Sequence, residues 1–175
     1  FSGQKLSIKT TIVMPVTTPA IKISAVKSYG ATVVLFGDNY SEAAEHCTLL
    51  VAQSGMIFIP PFDDELVIAG QGTIAVELLR QSSGKMDAVF VPVGGGGLAA
   101  GVAATVKAVY PQTRIIGVEP QDAASMYAAL KAGHPVDIGT TGIFSDGVAV
   151  RKVGKLTFEM CRELLDEVIM VSVDQ

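Results

Sequence analysis

Short apolar, β-branched runs alternate along this chain with amphipathic stretches of helical length, and the two periods predict alternating strands and helices. Residues 1–6 read as the tail of a helix. Thr11 to Met14 reads as a strand stopped by Pro15, and Pro19 to Ser28 as a helix with Gly30 just past its end. Thr32 to Phe36 is the next strand. A helix capped by Ser41 runs to about Gln53, with Glu42 in its first turn and Gly55 after it. Met56 to Ile59 reads as a third strand, closed by Pro60-Pro61. A polar turn, Asp63-Asp64-Glu65, precedes a helix over 67–81, a strand over 87–93 and a helix over 98–110. A strand over 114–118, a helix over 122–132, a turn-rich stretch to Ser145, a helix over 152–165 and a strand over 168–173 complete the pattern.

Runs that are apolar throughout and separated by helices indicate parallel strands buried on both faces, in an α/β layer architecture with right-handed crossovers. The 175 residues suffice for one ordinary domain or two small lobes. The Pro60-Pro61 break is the expected boundary, dividing residues 1–60 from 61–175. Both ends of the chain read as cut, so an internal piece of a longer protein is expected.

Composition narrows the function classes. The chain is 49% hydrophobic and only 17% charged, which is a globular composition. Its net charge is −4 with no basic cluster, so neither nucleic acid nor an anionic membrane has an electrostatic footprint to bind. No apolar run is long enough to cross a bilayer, and no signal peptide is seen. Cys47 and Cys161 fall within helical patterns and read as buried thiols of a reduced compartment, and His46 and His134 lack metal-ligand spacing.

The candidate chemistry lies at Gly94-Gly95-Gly96-Gly97, between the strand ending at Val93 and the helix opening at Leu98. Consecutive glycines carry an entropic cost of roughly 0.5–1 kcal/mol each against alanine in an ordered element. Two would serve a tight strand-to-helix connection; four point to backbone that must approach a ligand. Free N–H groups at a helix N-terminus beyond a strand's C-terminal end form an anion cradle. No Lys-Ser/Thr pair follows, which excludes a P-loop. Gly94, Gly96 and Ala99 satisfy a relaxed dinucleotide fingerprint, with Glu119 at the end of the next strand for a ribose, so pattern alone leaves a nicotinamide cofactor open. Close packing alone also remains open, as does a non-catalytic module for phosphate binding or assembly.

Motifs along the whole chain resemble a known family. They are Ile12-Val13-Met14-Pro15 with Thr18-Pro19-Ala20-Ile21-Lys22, then Pro60-Pro61-Phe62-Asp63 with Ala69-Gly70-Gln71-Gly72-Thr73, and then Val91 to Leu98. Gly117-Val118-Glu119-Pro120 and Asp146-Gly147-Val148-Ala149-Val150 complete the set. Together they are similar to the biosynthetic threonine dehydratases (threonine ammonia-lyases), pyridoxal-phosphate enzymes of fold type II, the tryptophan-synthase-β group; serine racemases and catabolic dehydratases are near relatives. The resemblance implies parallel sheets flanked by helices in parts of two lobes. Residues 1–60 would be a remnant of the smaller lobe and 61–175 part of the larger, cofactor-binding one.

The resemblance also implies the reaction, a β-elimination that turns threonine into 2-oxobutanoate and ammonia (serine into pyruvate) as the first step of isoleucine synthesis. Gly94, Gly95, Gly96, Gly97 and the N–H of Leu98 would cradle the phosphate of pyridoxal 5′-phosphate. Gly147 would lie beside the ring's phenolic oxygen, and Phe62 and Asp63 would line the cleft between lobes. The family's lysine, which holds the cofactor as a Schiff base, stands in a Ser-x-Lys motif followed by Ser-x-Gly-Asn-His. Neither is read in this chain; both are expected upstream of Phe1, and the residue that bonds the pyridine nitrogen beyond Gln175. No lysine here, Lys22 included, is assigned the role, so the chain alone would be inactive. In racemase-like relatives a Glu like Glu119, a carbonyl like that of Ala123 and an Asp hold a cation; Ser125 stands in place of that Asp, and no metal is assigned. A small amino-acid substrate, a homo-oligomer (tetramer or dimer), and a cytoplasmic or, in a plant, plastid-stroma location are the remaining expectations.

Overall fold

The structure, a computed structural model, describes residues 1–142 and 145–172. It divides into two compact units, Phe1–Ile59 and Pro60–Gln175.

The first unit contains α1 (Ser2–Lys5), β1 (Thr11–Met14), α2 (Ala20–Ser28), β2 (Thr32–Leu35) and α3 (Tyr40–Ser54). The two strands pair in parallel, from Thr11 opposite Thr32 to Met14 opposite Leu35. Gly30 and Gly55 close α2 and α3 with positive φ, as their places in the sequence predict. The cap of α3 is Asn39 and not Ser41. Asn39 has extended backbone and its Oδ1 accepts the Glu42 N–H at 3.1 Å, while its amide donates to Glu42 Oε1 at 2.7 Å. Ala43 is the only buried residue in these helices, so the unit carries little core of its own.

The second unit holds the core. Its elements are α4 (Glu65–Gln81), β3 (Ala88–Pro92), α5 (Gly97–Val109), β4 (Arg114–Pro120), α6 (Ser125–Ala132), α7 (Lys155–Leu164) and β5 (Glu167–Val171). The strands form a parallel sheet in the order β3-β4-β5, with Ala88 opposite Arg114 and Ile116 opposite Glu167. Val91, Val93, Val102, Val106, Ile115, Met126 and Phe158 fill the space between sheet and helices. Asp64 caps α4 through Oδ1, which accepts from Leu66 N–H and Val67 N–H, so the helix starts at Glu65, ahead of the expected residue 67. The crossing of α4 and α5 is close because Gly72 and Gly101 face it; a Cβ on Gly101 would overlap the Ile68 carbonyl.

The expected α/β architecture of parallel sheets is therefore present, with local departures. Met56 to Ile59 forms no strand. Ile57 is 87% exposed and Ile59 70%, and no partner strand is hydrogen-bonded to them among the described residues. The helix expected from Asp122 begins at Ser125, because Gln121–Ala123 is a 3-10 turn and Ala124 leaves helical geometry. The last helix begins at Lys155, three residues late, where Gly154 supplies an extended N-cap. Strand β3 buries Val89 and Val91 but leaves Phe90 62% exposed, so it is covered on one face and not two. Of the last predicted strand, Val173 lies outside the described residues.

Candidate functional site

Strand β3 delivers the chain to the glycine run through Val93, which is fully buried and donates its N–H to the Val118 carbonyl at 2.9 Å. The sheet thereby fixes the direction in which Gly94 leaves. Each glycine of the run meets protein where a side chain would begin. A Cβ on Gly94 would stand 3.0 Å from the Val148 Cα, one on Gly95 would overlap the Phe62 ring, and one on Gly97 would stand 3.0 Å from the Phe62 Cβ. Gly96 has φ +96°, a conformation that favours glycine, and its Cβ would press on Met126 and Thr157. Packing alone therefore excludes a side chain at Gly95 and Gly96, and it leaves one at Gly94 or Gly97 crowded but not barred.

What points to a ligand is the polarity of the peptide groups. The Gly95 carbonyl accepts from the Thr157 hydroxyl at 2.7 Å, and the Gly96 carbonyl accepts from Ala100 N–H at 2.9 Å and faces the Cys161 thiol at 3.8 Å. The peptides are trans, so N–H and C=O point opposite ways. The N–H groups of Gly96 and Gly97 are thereby turned away from α7. Gly95, Gly96 and Gly97 are buried, yet among the described residues no acceptor meets their N–H groups or that of Leu98. Buried N–H groups almost always have partners. A row of such donors at a helix N-terminus, with no side chain in the way, fits a phosphate.

Two neighbours complete the surroundings. Phe62 lies over Gly95 and Gly97. Asp63 does not stand free beside it: its Oδ2 accepts from Lys155 N–H at 3.0 Å and its Oδ1 from Thr157 N–H at 3.1 Å, capping α7 from more than 90 residues away in sequence. Gly147 sits in an exposed 3-10 turn, Asp146–Val148, whose Val148 backbone touches Gly94. That turn and the glycine run thus share one end of the sheet.

Glu119 resolves the dinucleotide alternative. It is fully buried, and its two carboxylate oxygens accept from Met126 N–H and Tyr127 N–H, each at 2.8 Å, so it caps α6 and is closed off from a ribose. Burial pushes its carboxyl up to about 7, against the lowering effect of the two N–H groups. Nearby Ser125 is buried, and its hydroxyl has no hydrogen-bond partner among the described residues. No group of three or more His, Cys, Asp or Glu side chains is placed to hold a metal ion among the described residues. Cys161 is buried, its thiol pushed up to about 12 by burial and then by the charge of Glu119, which leaves it unreactive; Cys47 is half-buried.

The expectation that no Ser-x-Lys occurs here is corrected: two tripeptides match it literally, Ser7-Ile8-Lys9 and Ser83-Gly84-Lys85. Both lysines are exposed, and no Ser-x-Gly-Asn-His follows either. The sequence reading missed Thr157 and Cys161, whose signal is two small polar side chains one turn apart on the buried face of α7.

Comparison with known proteins gives the family. The family described as "Pyridoxal-phosphate dependent enzyme" matches residues 1–175. The biosynthetic L-threonine dehydratase of Salmonella typhimurium is 51% identical over 174 residues, which is 99% of this chain and 34% of the relative. The chloroplastic biosynthetic threonine dehydratase of Arabidopsis thaliana is 53% identical over 173 residues, 99% of this chain and 29% of the relative. The chain thus spans about a third of the length of the curated relatives it matches. Among solved structures, the processed threonine deaminase isoform 2 of Solanum lycopersicum superposes with a TM-score of 0.91 at 51% identity, covering 98% of this chain and 50% of that one. The serine racemase of Dictyostelium discoideum follows with 0.85 at 34% identity, covering 99% and 55%. With its whole length matched, and with a row of N–H groups suited to a phosphate and unpartnered among the described residues, this chain belongs to the pyridoxal-phosphate-dependent enzyme family.

Proposed function

We propose that the intact protein carries out the pyridoxal-phosphate-dependent β-elimination of L-threonine, or of L-serine, releasing ammonia and 2-oxobutanoate or pyruvate, and that this serves isoleucine synthesis. The observation that carries the reading is the row of N–H groups from Gly95 to Leu98, three of them on buried glycines, with no acceptor among the described residues, in a chain about half identical to biosynthetic threonine dehydratases.

When bound, pyridoxal phosphate supplies an electron sink for the pair left at the substrate's α-carbon once its proton is removed. The residues of this chain bind and orient. The N–H groups of Gly95, Gly96, Gly97 and Leu98 would donate to phosphate oxygens, and the N-terminal end of α5 adds its dipole. Phe62 packs over Gly95 and Gly97 and holds the loop in place. Gly147, carried on the turn that abuts Gly94, would lie beside the ring with no side chain to obstruct it. Residues 1–60 would belong to the smaller lobe and 61–175 to the larger, cofactor-binding lobe.

In this account the lysine that bonds the cofactor lies outside residues 1–175, so this segment alone does not catalyse. The intact protein would act as a homo-oligomer, dimer or tetramer, in the cytoplasm or, in a plant, the plastid stroma. No helix among the described residues is long and apolar enough to cross a membrane. The test is ammonia release from threonine and serine by the intact protein, followed by borohydride reduction and peptide mapping. Ammonia release with the reduced cofactor on a lysine outside this segment supports the reading. No ammonia from either amino acid, or the adduct on a lysine within it, refutes it.

A further inference from the structure

We propose that Thr157 is a positioning residue for the cofactor's phosphate, acting through the Gly95 carbonyl. The inference rests on the function proposed above and adds a residue to its site. Thr157 is fully buried, and its hydroxyl donates to the Gly95 carbonyl at 2.7 Å. The other donor to that carbonyl is the Gly154 N–H at a longer 3.5 Å. The trans peptide links this carbonyl rigidly to the Gly96 N–H on its far side, so holding the oxygen aims the N–H.

Gly96 makes that hold necessary. At φ +96° with no side chain, it sits where backbone freedom is greatest, and an unrestrained peptide there has other orientations open to it. Thr157 is itself fixed, because its own N–H is given to Asp63 Oδ1 at 3.1 Å. One turn on, Cys161 faces the Gly96 carbonyl and holds the next peptide in the same sense. A chain of contacts thus runs from Asp63 through the first turn of α7 to the loop's N–H groups. Preorganised donors of this kind need no reorganisation when the anion arrives.

The experiment compares Thr157→Ser with Thr157→Ala in the intact protein, a pair that differs by the hydroxyl alone, with isosteric Thr157→Val as a third variant. Pyridoxal phosphate affinity is read by fluorescence titration of the apoprotein, and the bound phosphate by its 31P chemical shift. Thr157→Ala should weaken cofactor binding roughly five- to tenfold, the loss expected for one hydrogen bond, and shift the 31P resonance, with Thr157→Val alike and Thr157→Ser close to the parent. Equal affinities and shifts for the serine and alanine variants overturn the proposal, whatever happens to their stability. If the valine variant does not fold, the serine–alanine pair decides alone. A parent protein that binds no pyridoxal phosphate refutes the function reading instead.

Discussion

The ring of Phe62 occupies the space in which a side chain on Gly95 would begin, and its Cβ stands 3.0 Å from where one on Gly97 would. The aromatic ring and the glycine run therefore depend on each other. Gly95→Ala forces Phe62 or the loop to move, and overpacking of this kind costs about 1–3 kcal/mol. The expected outcome is that loss of stability together with cofactor affinity lowered at least tenfold, read by urea denaturation and cofactor titration of the intact protein. The double variant Gly95→Ala with Phe62→Ala should cost less than the sum of the two single changes, since the pair is in contact.

Removing the carboxylate that caps α7 should be felt at both ends of the contact chain. Asp63→Ala takes an acceptor from two N–H groups, those of Lys155 and Thr157, and should lower stability by about 1–2 kcal/mol. Asp63→Asn keeps one acceptor oxygen and should cost less. Equal unfolding midpoints for both variants and the parent contradict this role.

Glu119 predicts a pH dependence. Its folded carboxyl is raised from 4.5 to about 7, so between those values the folded state binds a proton that the unfolded state has lost. Stability from this group is fully present below about 4.5 and falls as pH rises to about 7, by roughly 1.4 kcal/mol per pH unit at most. Glu119→Gln cannot titrate and should flatten that slope. It also offers one N–H group a donor in place of an acceptor, costing about 1–3 kcal/mol at every pH. A parent whose urea midpoint is level over this range refutes the assignment.

Asp166 has the opposite sign. The Lys107 ammonium at 2.7 Å, with the Ile115 N–H at 2.6 Å, holds its carboxyl below the usual range. Its contribution is present above the ordinary carboxylate pKa and is lost as pH falls through the lowered folded value. Asp166→Asn should cost about 1 kcal/mol at neutral pH and show no such acid loss, measured by the same denaturation series.

Much of this was legible in the sequence because it is local. Apolar runs, punctuating glycines and the acidic turn before α4 located most elements within a few residues. Met56 to Ile59 was misread because an apolar run shows β character but not whether a partner strand exists. The sequence points to Ser41 and the structure to Asn39, because composition does not say which residue's backbone turns extended. The glycine run stands out in the sequence, but its packing partners do not. Phe62 lies more than thirty residues before the run and Thr157 is 62 residues beyond Gly95, so neither contact leaves a local signal. Glu119 at a strand end looks the same in sequence whether it caps a helix or binds a ribose; only the two N–H groups decide it.

The central claim is that the glycine run holds the phosphate of pyridoxal phosphate, and a crystal structure of the intact protein with that cofactor tests it most directly. The account predicts phosphate oxygens within about 3 Å of the N–H groups of Gly95, Gly96, Gly97 and Leu98, and a cofactor-bonded lysine outside residues 1–175. A phosphate bound elsewhere, with those N–H groups still lacking an acceptor, would contradict it.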